Sequence, residues 1–197
     1  MWCNNILEVS GSSMNLEIFR KDMRTIKGTD SEGKLIEIPL QFSNLLPRPP
    51  ELDVEESSLA HLVYEALYGD WEKLLKVQWI QAGGAKDRST LIRLLEQVHE
   101  DRVYLAKRYR ANECKYGFRN WRDWNIEHYG TKWDLDDTTQ VEEADGKLIY
   151  RFRTFETPPK AWFELLKSTY PNLKMTLKHR SPFQVAAQAD IPLNRFY

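Results

Sequence analysis

The dipeptide Asp145-Gly146 constrains this chain more than any other feature. Asp-Gly supplies two consecutive residues that tolerate positive φ, which a type I′ turn requires, and the twist of that turn matches paired antiparallel strands. It sits inside TTQVEEADGKLIYRFRTF, where Leu148, Tyr150 and Phe152 alternate, so the segment is predicted to be a hairpin with one buried face. Phe155 falls off that register. A lone hairpin is marginal in water and needs more strands or a helix on its apolar face.

The chain supplies both. Upstream, WCNNILEV over residues 2–9 reads as a strand, ended by the turn residues Ser10-Gly11-Ser12-Ser13. Ser13 is placed to cap a helix over 14–24, on which Leu16, Phe19 and Met23 gather one apolar face. Downstream, Thr157-Pro158 reads as an N-cap followed by proline at the first helical position, where its missing amide costs nothing. The predicted helix PPKAWFELLKSTY puts Trp162, Leu165, Leu166 and Thr169 on one face and stops at Pro171-Asn172. LKMTLKH then alternates Leu173, Met175 and Leu177 as a last strand. The order β–α–β–β–α–β predicts an α+β protein: a ferredoxin-like split βαβ antiparallel sheet with two helices, interrupted by a helical insertion.

The insertion is assigned to residues 27–112. It opens on the polar loop KGTDSEGK, followed by LIEIPLQF, a strand that Pro39 interrupts, and by three prolines in NLLPRPPELD. Asp53 with Glu56 resembles a capping box. After it Leu59, Leu62, Val63, Ala66 and Leu67 form a helical stripe, closed by Tyr68-Gly69-Asp70. WEKLLKVQWIQ reads as a second helix, and Ala82-Gly83-Gly84-Ala85 separates it from a long third helix over 88–110. That third helix is built on Leu91, Leu94, Leu95, Val98, Leu105 and Tyr109. Residues 113–180 complete the sheet, and 181–197 show no period and are expected to form an irregular tail.

Composition narrows the function classes. With 42% hydrophobic residues and a net charge of -1, the chain can bury a core and is not a protein basic over its whole surface. Any electrostatic binding must be local. Cys3 and Cys114 make neither a disulfide framework nor a zinc site. No apolar run approaches the ~18 residues of a membrane span, and no basic, then apolar, N-terminal leader is seen. A cytoplasmic location in a bacterial host cell and no membrane partner are expected.

Residues 116–134 read YGFRNWRDWNIEHYGTKWD. With the opening Trp2, Cys3 and Asn5, the matching residues are Tyr116, Gly117, Asn120, Trp121, Trp124, Gly130, Thr131, Lys132, Trp133, Pro158, Pro159 and Trp162. In these the chain resembles a family of phage and plasmid proteins with a YubB-type ferredoxin-like domain. The resemblance covers the first ten residues and about 114–178. It departs at Phe155-Glu156-Thr157, where the family usually has a tryptophan, and at HRSPFQVAAQ after the last strand. The resemblance implies the same fold and a mobile-element setting. It implies no reaction, since the family has no assigned activity.

Two constellations bear on binding. Trp121, Trp124, Tyr129 and Trp133 form an aromatic block, either rings closing a seam between the helical segment and the sheet or a platform for stacking bases. Residues 102–122 carry Arg102, Lys107, Arg108, Arg110, Lys115, Arg119 and Arg122 against Glu113 alone, a net of +6, with aromatics interleaved. Residues 134–145 carry a net of -6, and 147–180 are basic again, with eight Lys/Arg against Glu156 and Glu164. A basic run with aromatics is the electrostatic footprint of nucleic-acid contact. The competing reading is a solvated helix face balanced by the adjacent acidic loop. The candidate binding face is therefore Arg108, Arg110, Lys115, Arg119, Trp121, Arg122, Trp124, Lys132 and Trp133, toward nucleic acid or a host protein.

Catalysis finds less support. His61, His99, His128 and His179 show no metal-binding spacing, and no nucleophile elbow or phosphate loop occurs. No cofactor is expected. A metal-dependent hydrolase or nuclease using Asp134, Asp136 and Asp137 is the alternative, and assembly along an exposed sheet edge is a third reading.

Overall fold

The structure, a computed structural model, describes residues 1–29, 31–33, 35–136 and 138–180. In chain order the elements are β1 (Trp2–Ser10), α1 (Ser13–Met23), β2 (Thr25–Thr29), β3 (Leu35–Ile38), α2 (Phe42–Leu45), α3 (Ser58–Tyr68), α4 (Gln78–Ala82), α5 (Arg88–Val98), α6 (Glu100–Tyr116), α7 (Trp121–Tyr129), β4 (Gln140–Ala144), β5 (Lys147–Phe155), α8 (Lys160–Thr169) and β6 (Lys174–Arg180). The described residues fall into two compact units: those of 1–47 with 125–180, and those of 48–124.

The first unit holds a four-stranded antiparallel sheet in the order β4-β5-β1-β6. The first and third strands of the β–α–β–β–α–β order lie at the centre, which is the split βαβ arrangement and places the protein in the α+β class. Asp145 and Gly146 have φ of 53° and 67°, the pair of positive values the type I′ turn demands. Register follows from that turn. Leu7 faces Tyr150 and Val9 faces Leu148, and all four are buried.

Both long helices of this unit cover that face. On α1, capped by the hydroxyl of Ser12 rather than Ser13, the buried residues are Leu16, Phe19 and Met23. Phe19 meets Tyr150 edge-on at 6.0 Å between ring centroids. From α8, Trp162 packs 4.7 Å from Phe42, which itself meets Phe152 at 6.2 Å. Burying each such side chain stabilises the unit by about 1.5–3 kcal/mol. The predicted start of α8 at Pro158 shifts to Lys160. Glu156, at φ 62°, and the bond from Thr157 N–H to Phe155 C=O turn the chain tightly before the helix can begin.

The predicted polar loop at 27–34 pairs in part as a strand: β2 and β3 form a separate two-stranded sheet, and β3 ends just before Pro39. This hairpin and α2 belong to the sheet unit. The insertion therefore starts near 48 rather than 27 and runs to 124 rather than 112. Asp134 gives the physical reason. Its carboxylate accepts from the backbone N–H groups of Phe42 at 2.7 Å and Ser43 at 3.1 Å, so the start of α2 is fastened to the segment leading into β4.

The second unit packs α3, α5 and α6 around Val63, Ala66, Ile80, Leu91, Leu95, Ala106 and Tyr109. The helix predicted from Asp53 begins at Ser58, because Ser57 supplies the cap. The second predicted helix is a 3-10 turn at Trp71–Lys76 followed by the short α4. The long third helix breaks at His99, where ψ is 50°, and resumes as α6. Glu100 and Asp101 in the first turn of α6 favour a helix start there through the macrodipole. That break turns Val98 outward, and α6 runs on to Tyr116, ended by Gly117 at φ 79°.

Candidate functional site

The nine residues singled out from sequence do not lie in one unit. Arg108, Arg110, Lys115, Arg119, Trp121, Arg122 and Trp124 belong to the helical unit, and Lys132 and Trp133 to the sheet unit. In the helical unit the cations are mostly answered. Arg119 lies 3.7 Å over the ring of Tyr64 and pairs with Glu113 at 3.1 Å and Glu65 at 3.4 Å. Arg110 pairs with Glu113 at 3.1 Å, Lys115 with Glu51 at 2.9 Å, and Arg122 with Asp123 at 3.7 Å. The Tyr64 hydroxyl also donates to Glu113. The Lys115 ammonium holds the exposed Glu51 carboxyl at about 2. The counter-charges for 102–122 thus include acidic residues of the same unit. Arg108 is exposed, while Trp124 is buried and Trp121 half-buried.

Lys132 and Trp133 have different surroundings, which the sequence builds step by step. Gly130 takes φ 82°, and a Cβ there would lie 3.1 Å from Lys160 N and 3.3 Å from Pro158 O. Its carbonyl accepts from the Thr157 hydroxyl at 2.7 Å. The buried Thr131 hydroxyl donates to Phe155 C=O at 3.1 Å, and Asn125 Nδ2 donates to Lys132 C=O at 2.8 Å. These bonds hold the Gly130–Trp133 segment against the end of β5.

The result is an aromatic cluster. Trp133 lies 4.7 Å from Phe155 and 5.9 Å from Trp2 between ring centroids, and Trp2 lies 5.9 Å from Phe155. Trp2 and Trp133 remain 50% and 40% exposed. Lys132 sits 4.8 Å over Trp133, and the Arg153 guanidinium 5.6 Å over Trp2. Between them a 170 Å³ cleft is lined by Trp2, Trp133, Asp134, Asp136, Thr138, Arg153, Thr154 and Phe155.

Beneath the cluster, on the other side of the sheet, runs a buried polar chain. Asn5 Nδ2 donates to Thr154 Oγ1 at 2.9 Å and to Cys3 C=O at 3.0 Å, and Thr154 Oγ1 donates to Thr157 C=O at 2.7 Å. Burial pushes the Cys3 thiol above its ordinary value, so it stays protonated. Trp2, Cys3, Asn5, Gly130, Thr131, Lys132, Trp133 and Pro158 therefore meet at one end of the sheet.

From this cluster a basic surface extends along the sheet. Alternation puts Lys147, Arg151 and Arg153 of β5 and Lys174, Lys178 and Arg180 of β6 on the face opposite the helices, with Asn4, Ile6, Glu8 and Ser10 of β1 between them. On the strands of that face the acidic residues are Glu8 and Glu142. They pair with Lys178 at 2.6 Å and Arg151 at 2.8 Å, and the Lys178 hydrogen bond holds the Glu8 carboxyl below its usual range. Sequence reasoning left out Trp2, Phe155, Arg153 and Arg180 as site residues. The signal was present: Phe155 breaks the register of the buried face, and 147–180 is basic.

The carboxylates of the alternative reading have structural duties. Asp134 Oδ1 accepts from Phe42 N–H and Leu135 N–H, both at 2.7 Å, and Oδ2 from Ser43 N–H. Asp136 Oδ1 accepts from Thr138 N–H at 3.0 Å and its hydroxyl at 2.6 Å. Asp137 lies outside the described residues. Among the described residues no group of three or more His, Cys, Asp or Glu is placed to hold a metal ion, and no helix is long and apolar enough to cross a membrane. The predicted tail, 181–197, also lies outside the described residues.

No family model matches the chain. A comparison with curated proteins finds no match. Among solved structures it is similar to the crystal structure of protein api92 from Yersinia pseudotuberculosis, of family model DUF1281. Identity is 11% over 92% of this chain and 90% of that one, with a TM-score of 0.40.

Proposed function

We propose that this protein is a non-enzymatic nucleic-acid-binding module and that its sheet unit makes the contact. The observation that carries the reading is the open face of the sheet: on its strands six Lys/Arg stand against two already paired carboxylates, and it ends in two half-exposed indoles beside Asp134 and Asp136. Local positive charge supplies affinity for phosphates, and exposed rings supply a surface for bases. The helical-unit part of the face drawn from sequence supports the reading less, because four of its five cations are held by carboxylates of their own unit. A cytoplasmic, phage or plasmid setting belongs to the same proposal, supported by the way the residues of the YubB-type resemblance converge on one end of the sheet.

Fluorescence anisotropy tests this with labelled oligonucleotides titrated from 50 mM to 500 mM salt. Binding should weaken steeply as salt rises. Charge reversal by Arg153→Glu with Arg180→Glu should abolish it, and Lys107→Glu with Arg108→Glu should leave most of it. No binding at 50 mM salt to any oligonucleotide sinks the reading and leaves a host protein as the partner.

A further inference from the structure

Resting on that reading, we infer that the ligand is single-stranded nucleic acid, with unstacked bases laid on Trp2 and Trp133 and its phosphates drawn along the Arg153–Arg180 rows. Three observations select a single strand over a duplex. The first is the location of the aromatic surface. Trp2 and Phe155 face each other in register on the two central strands of an open sheet, and Trp133 is added from the loop after α7. A duplex buries its base faces in its own stack, so rings at the end of the two central strands meet none of them. A single strand presents every base face.

The second is preorganisation. Phe155 meets Trp2 at 86° and Trp133 at 61°, so each indole leans on a ring edge, and half of Trp2 and 40% of Trp133 still face solvent. The two indoles are tilted by 37° at 5.9 Å, too close for a base to slide between them. Bases must stack on their outward surfaces, with little ordering cost at binding.

The third is charge placement. Arg153 and Arg180 flank Asn4 on either side of β1, next to the aromatic end, and among the described residues neither forms a salt bridge, though Asp134 and Asp136 line the same cleft as Arg153. Strand spacing of about 4.8 Å puts these cations roughly 10 Å apart across β1, a separation that a flexible strand of a few nucleotides can follow.

The experiment compares a labelled 12-nucleotide single-stranded DNA of mixed sequence, its RNA counterpart and the corresponding 12-base-pair duplex, all with the 197-residue chain at 50 mM salt. The single strands are expected to bind at least tenfold more tightly than the duplex. Trp133→Ala is expected to weaken single-strand binding by roughly 5- to 150-fold, the range of one lost base stack, and duplex binding by less than twofold. Arg153→Gln, on an exposed side chain that leaves the fold intact, should lower the salt slope for the single strand by about 0.7. Duplex binding as tight as single-strand binding, or a Trp133→Ala variant that is folded by circular dichroism and binds single strands unchanged, overturns this inference but leaves nucleic-acid binding standing. Failure of all three probes to bind overturns both.

Discussion

Gly130 and Gly146 both sit at positive φ, 82° and 67°, in the same unit, yet replacing them with alanine should not cost the same. An L-residue at this backbone conformation costs roughly 1–2 kcal/mol. The narrower unfolded ensemble of alanine returns about 0.4–1 kcal/mol of that at either site. The two positions differ only in what the added methyl meets. At Gly146 nothing lies within 4 Å. At Gly130 it would meet Lys160 N at 3.1 Å, Pro158 O at 3.3 Å and Ala161 N at 3.4 Å, all backbone atoms that open α8. Backbone cannot swing aside as a side-chain tip can, and overpacking of this kind costs about 1–3 kcal/mol. Gly146→Ala should therefore cost about 1 kcal/mol and Gly130→Ala about 2–4 kcal/mol. Urea unfolding of the chain, followed by far-ultraviolet circular dichroism, reads both in the transition of the sheet unit that holds them. At a slope of about 2 kcal/mol/M the Gly130→Ala midpoint should lie about 0.5–1.5 M below that of Gly146→Ala. Equal midpoints would refute the close approach and reduce Gly130 to an ordinary turn glycine.

Two further outcomes follow from the same unit. Asp134→Ala removes the acceptor for Phe42 N–H and Ser43 N–H and should lower stability by about 1–2 kcal/mol, the usual cost of a lost cap, with an unchanged melting temperature counting against the assignment. His179, opposite Asn5 in the register, is held below its ordinary value by burial and by the nearby Lys160 ammonium. The folded state therefore prefers the neutral ring, and the unfolded chain binds the extra proton first. Stability should be full above pH 6.5 and fall as the pH drops below it. Comparing wild type with His179→Leu between pH 6.5 and 5.5 isolates that slope, and identical slopes would show that His179 does not contribute.

The sheet was legible because each of its signals is local. A type I′ dipeptide, alternation on Leu148, Tyr150 and Phe152, and the apolar spacing of Leu16, Phe19 and Met23 depend on neighbours a few residues away. The helical unit was read less well for the same reason. Nothing within 88–110 is a helix breaker, yet the helix ends at Val98, since α5 and α6 each have their own face to bury. Ser57, not Asp53, caps α3, and Tyr109 explains why the approach is fixed there. Its hydroxyl accepts from Ser57 N–H at 3.1 Å and donates to Glu55 C=O at 2.6 Å, a tie across more than fifty residues.

The candidate site divides in the same way. Sequence alone established the fold class, the hairpin and its turn, the residue types of the Gly130–Trp133 block and the basic character of 147–180. These are set by short-range chemistry: backbone freedom, side-chain period and charge. Only the tertiary structure decided which of those charges and rings act together. Lys115 and Arg119 look free in the sequence because Glu51 and Glu65 lie more than fifty residues away from them, and pairing neutralises them in the fold. Trp2, Phe155 and Trp133 look unrelated until antiparallel pairing sets Trp2 opposite Phe155 and the Thr131 hydroxyl fastens the loop to the same strand end. Which side chains become neighbours depends on strand register and on long-range hydrogen bonds, and those exist only once the chain has folded.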